Sequence, residues 1–78
     1  MSVLEALVTA DRTVIAGLAA YDNAMANAWT TAAEAMAADG ISAEQIVAAK
    51  EGHDARALRG RENLHRELWT RALAMMSA

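Results

Sequence analysis

Gly40-Ile41-Ser42-Ala43-Glu44-Gln45-Ile46 is the stretch that decides how this chain folds. Gly40 can take the left-handed backbone conformation that ends a helix. Ser42 is a favourable N-cap, and Gln45 stands three residues on, the spacing at which the two side chains reciprocally bond each other's backbone N–H. Ile41 and Ile46 flank the cap at the positions of a hydrophobic staple. One helix therefore stops here and another starts, and the chain folds back on itself.

Upstream, residues 3–38 read as one long amphipathic helix. Leu4, Leu7, Val14, Leu18, Tyr21 and Met25 recur at near-heptad spacing, continued by Ala28, Ala32 and Ala35, with Asp11 in one slot of the row. A flanking row of Val8, Ile15, Trp29 and Met36 widens the stripe and contains Asp22. Ser2, with Glu5 three residues on, suits a second capping box. Gly17 and the Asp22-Asn23 pair are the weak points of this helix. Alanines four apart, Ala16 to Ala32, form a ladder of small residues that would let another helix approach.

Downstream, a short helix is expected over about 43–51, because Gly52 offers a stop and Asp54 a new N-cap; the alternative is that Gly52-His53-Asp54 is a kink in one continuous helix. A second long helix follows over about 55–76. Its apolar face holds Leu58, Leu64, Leu68, Trp69, Ala72, Leu73, Met75 and Met76, and its opposite face Arg56, Arg59, Asn63, Arg66 and Thr70. The expected fold class is thus all-α: a long helix, a hinge at Gly40–Ser42, a short helix and a second long helix. They make a helical hairpin that assembles into a bundle.

Composition agrees. Pro is absent, and about a quarter of the residues are Ala, the best helix former. Seventy-eight residues make a single domain, 1–78, whose small size gives a marginal core. Hydrophobic content is 55%, but much of it is Ala, which buries little area. With no Cys there is no disulfide or thiolate metal site to reinforce so small a core, and oligomerisation is the remaining means. A homo-oligomer is expected, with Leu18, Tyr21, Met25, Trp29, Leu68 and Trp69 at the interface. The excess of Ala and of Arg over Lys suits a GC-rich genome, that of a bacterium or its phage.

The formal charge is −3, which argues against a general nucleic-acid binder. It is unevenly placed. Residues 1–49 hold six acids against Arg12, and residues 50–78 hold six bases against four acids. An acidic half beside a basic half, within or between chains, accounts for this asymmetry. Arg56, Arg59 and Arg66 are the candidate partner-binding residues, for another protein or, as the alternative, for DNA in a small helical regulator. Asp11, Asp22, Arg61 and His65 intrude on apolar faces and are the candidates for a buried polar pair, Asp11–Arg61 or Asp22–Arg61, that sets register.

Nothing points to catalysis. There is no Cys nucleophile, no Gly-rich phosphate loop and no Gly-x-Ser-x-Gly turn. Glu62 and His65 form one Glu-x-x-His, whereas a di-iron bundle needs two such motifs and two further Glu, so no metal or cofactor is expected. The first residues, Met-Ser-Val-Leu-Glu, lack the basic start of a signal peptide. The longest uncharged run, 23–33, is far shorter than the ~20 residues of a membrane span. The expected protein is cytoplasmic, contacts no membrane, and works by non-catalytic protein–protein interaction as a self-assembling adaptor or regulator.

Overall fold

The computed structural model describes residues 2–77, with the side chains of 2–76. Those residues form two helices and no strand: α1, Val3–Ala38, and α2, Ala43–Ser77. The pairs Gly17–Leu68, Tyr21–Gly60 and Trp29–His53 run in opposite order along the two helices, so α1 and α2 lie antiparallel as a hairpin.

The reversal is held by backbone chemistry local to it. Gly40 has φ +79°. The Ile41 N–H donates to the Met36 carbonyl at 3.0 Å and the Gly40 N–H to the Ala37 carbonyl at 3.1 Å, which together form a Schellman motif. Two residues later the Gln45 N–H donates to Ser42 Oγ at 3.2 Å, while the Ser42 N–H donates to Gln45 Oε1 at 3.3 Å. Both halves of the capping box are made. At the start of α1, Ser2 Oγ accepts from the Glu5 N–H at 3.1 Å.

The short helix does not exist as a separate element, and the alternative, one continuous helix through Gly52-His53-Asp54, is the one observed. Gly52, His53 and Asp54 lie inside α2, and Gly40 is the one described glycine with positive φ. Two interactions carry the helix through this point. The Lys50 ammonium donates to Asp54 Oδ2 at 2.9 Å, so Asp54 serves an i,i+4 pair rather than a cap. The His53 ring packs against Trp29 on α1, with centroids 5.4 Å apart.

The seam between the helices uses small residues as notches. Tyr21 lays its ring over α2 at Gly60, and its hydroxyl donates to the Ala57 carbonyl at 2.8 Å. A Cβ on Gly60 would collide with that hydroxyl. In the other direction Leu68 reaches over Gly17, where a Cβ would lie 2.8 Å from Leu68 Cδ1. At the open end α1 turns Ala6 and Ala10 toward the larger Leu68 and Met76 of α2. The inner row of α1 therefore runs through Ala6, Ala10, Val14, Leu18, Tyr21, Met25 and Trp29, mostly in steps of four. It departs from the expected heptad row, whose Leu4, Leu7, Ala28, Ala32 and Ala35 are exposed.

Little is enclosed by this packing. Among the described residues only Ala10, Val14 and Leu18 are buried. The rod measures 57 × 16 × 15 Å, with a radius of gyration of 17.5 Å. A compact chain of this length has a radius of about 11.5 Å. The accessible surface is 5745 Å², whereas a compact monomer of this mass exposes about 4,600 Å².

Candidate functional site

The hairpin has two unlike sides. One is marked by a shallow groove that brings Asp22, Ala26 and Trp29 of α1 beside Lys50, Leu58 and Arg61 of α2. Ile15 lies two helical turns before Asp22, and Val8 and Leu4 follow at spacings that keep the same side. On α2, Leu58 is joined by Val47 three turns earlier and by Leu73 about four turns later. Six of the ten exposed large apolar side chains among the described residues, Leu4, Val8, Ile15, Val47, Leu58 and Leu73, thus lie on one side of the rod. Leu4 is 71% exposed, and Ile15 and Leu58 are each 58% exposed. The opposite side carries Thr9 and Thr13 across from Arg71 and Met75.

An ion pair sits in the middle of the apolar side. Arg61 Nε donates to Asp22 Oδ1 at 3.0 Å and to Oδ2 at 3.3 Å. Both side chains are about half exposed, so the pair is not buried within the hairpin. In this setting water and salt screen it, and it adds little stability, about 0–1 kcal/mol. Of the two pairings considered, the chain makes Asp22–Arg61. Asp11 and His65 are exposed on the same apolar side, away from the seam, and neither makes an ion pair among the described residues. Their place in an apolar row reflects the uncovered side of the rod rather than a core slot.

The six residues expected at an assembly interface also contribute to the packing of the hairpin itself, and Tyr21, Met25 and Trp29 line the groove on the apolar side. Leu18 is buried, and Tyr21, Met25, Trp29, Leu68 and Trp69 are half-buried. The uncovered surface consists of residues that the sequence pattern places in flanking positions, Val8 and Ile15, together with Leu58 and Leu73. A helical wheel marks all four as apolar. It does not reveal which apolar arc faces the sister helix.

Arg56, Arg59 and Arg66 are exposed along α2. None of them forms an ion pair among the described residues, where the α2 pairs are Lys50–Asp54 and Arg71–Glu67. The alanine ladder of α1, Ala16 to Ala32, is exposed too. No group of three or more His, Cys, Asp or Glu able to hold a metal occurs among the described residues. No helix among them is long and apolar enough to cross a membrane.

Comparison with known proteins adds nothing to this geometry: no family model, no curated protein and no solved structure matches the chain.

Proposed function

We propose that this is a non-catalytic helical interaction protein, and that its first partner is a second copy of itself, seated on the apolar side of the hairpin to complete a four-helix bundle. The observation that carries this reading is the mismatch between surface and mass. A dimer packed to ordinary compactness exposes about 7,600 Å². Two separate rods expose 5745 Å² each, so bundling them would bury roughly 3,900 Å² in total. Permanent homodimers bury about 2,000–5,000 Å². The same side is the one on which Leu4, Val8, Ile15, Leu58 and Leu73 are exposed. Burying such side chains contributes about 25 cal/mol per Å², a gain that the lone hairpin, with three buried residues, largely forgoes.

The test is a pair of charges on that side. Ile15→Glu with Leu58→Glu changes two side chains that are mostly solvent-facing in the hairpin. The wild type is expected to sediment as two copies and the variant as one. A variant that keeps the two-copy mass would refute this face as the interface.

The exposed arginines Arg56, Arg59 and Arg66 support a second working surface, for an acidic protein partner. Nucleic acid is the competing ligand for the same residues. It predicts measurable DNA binding at low salt that falls steeply as salt is added and disappears in the triple alanine variant. Absence of DNA binding at low salt removes that alternative.

A further inference from the structure

We infer that the second copy docks with its turn at the same end as the first, and that the Asp22–Arg61 pair of each copy fixes this orientation. The inference rests on the self-assembly reading and adds its geometry. Asp22 and Arg61 stand close to the midpoints of Val3–Ala38 and Ala43–Ser77, so the ion pair marks the middle of the rod. Two rods that overlap along their full length bring their apolar sides together with the two ion pairs face to face. This holds whichever way the second rod points.

The two orientations differ in what meets what. With both turns at one end, the two-fold axis runs along the rods, and α1 of each copy lies over α2 of the other. Asp22 then meets the partner's Arg61, and Arg61 the partner's Asp22, in a cluster of four alternating charges. With the turns at opposite ends the axis crosses the rods, and α1 lies over α1. Asp22 would then face the partner's Asp22, and Arg61 the partner's Arg61. Leu58, Met25 and Trp29 line the same groove as the pair, so docking strips water from it. A desolvated ion pair is tolerated only when its remaining hydrogen-bonding capacity is filled. The same-end arrangement supplies a second pair for this purpose, and the opposite-end arrangement supplies like charges.

The helices as wholes point the same way. α1 carries four acids against one base, and α2 six bases against five acids. The same-end bundle alternates acidic and basic helices around its circumference, whereas the opposite-end bundle places the two acidic helices in contact. Charge patterns of this kind set partner orientation in helical assemblies more than they set affinity.

The chain has no cysteine, so a single Asp39→Cys at the exposed end of α1 takes one nitroxide label beside the turn. The distance between the two labels in the assembled protein is then read by pulsed electron resonance. The same-end bundle predicts labels separated by less than about 30 Å. The opposite-end bundle predicts about 50 Å, from seventeen residues of 1.5 Å rise on either side of Asp22. A distance near the longer value overturns the orientation and leaves self-assembly standing, whereas a one-copy mass overturns both. A second variant reads the charges directly. Asp22→Arg with Arg61→Asp keeps a pair within each hairpin. Mixed with the wild type, it is expected to sort into like-with-like dimers. In a mixed same-end dimer the wild-type Asp22 would face a carboxylate, and the wild-type Arg61 a guanidinium, so both contacts become repulsive. Preferential formation of mixed dimers would overturn the inference.

Discussion

Gly60→Ala tests the notch under Tyr21, and the structure fixes its sign. In an exposed helix interior, Gly→Ala stabilises by about 1 kcal/mol. Here the new Cβ would land on the Tyr21 hydroxyl. The Gly60 backbone is fixed in α2, so Tyr21 has to move. It loses its 2.8 Å bond to the Ala57 carbonyl, worth about 1 kcal/mol, and its displacement costs a further 1–3 kcal/mol or so. The net expectation is destabilisation by about 1–3 kcal/mol. Tyr21→Phe alone should cost about 1 kcal/mol, the value of the lost bond. In the Tyr21→Phe background the obstacle is gone, and the nearest remaining ring atom is Cζ, 3.3 Å from the new Cβ. Gly60→Ala should there be neutral or stabilising by up to about 1 kcal/mol, giving a coupling of about 2 kcal/mol. Urea unfolding followed by helicity, at one fixed protein concentration, measures all four corners. A Gly60→Ala cost that is equal in both backgrounds, or a stabilising Gly60→Ala in the wild type, would refute the notch. Gly17→Ala is the contrasting case. Its Cβ would meet Leu68 Cδ1, the end of a side chain that can turn away, so the change should stay within about 1 kcal/mol of neutral.

The turn should respond to two local changes. Ser42→Ala removes the hydroxyl that accepts from Gln45 and should cost about 1 kcal/mol in the same assay, whereas Gly40→Ala, at φ +79°, should cost about 1–2 kcal/mol. Arg71→Ala breaks a 3.0 Å pair with Glu67 in which both side chains are well exposed, and its effect on the urea midpoint should be under about 0.5 kcal/mol. Replacing Arg56, Arg59 and Arg66 together by Ala should leave sedimentation mass and helicity unchanged, because all three are exposed and none forms an ion pair among the described residues.

The turn was legible because its chemistry is local. The reciprocal bonds of Ser42 and Gln45, and the positive φ of Gly40, depend on residues within a few positions of one another. The interior of α2 was not legible in the same way. Gly52 and Asp54 carry the same stop-and-cap signal that Gly40 and Ser42 carry. The Lys50–Asp54 pair decides against it together with a contact that no short window contains, Trp29 against His53. The seam has a similar cause. Leu4 and Leu7 are more hydrophobic than Ala6 and Ala10, yet α1 turns its small residues toward Leu68 and Met76 at the open end, a pairing that neither helix shows by itself. The notches at Gly17 and Gly60 are properties of pairs, each invisible on either helix alone. The Asp22–Arg61 pair was readable as one of two options, because both residues interrupt apolar rows. Their half-exposed setting follows only from knowing which arc of each helix the hairpin leaves uncovered.

Sedimentation of the wild-type chain through a dilution series, with helicity followed in parallel, decides whether the hairpin is stable alone or only as a pair. A two-copy mass is expected at high concentration, with a fall in helicity as the copies separate, because a hairpin with three buried residues among those described draws much of its stability from the second copy. A one-copy mass with full helicity at every concentration would contradict self-assembly.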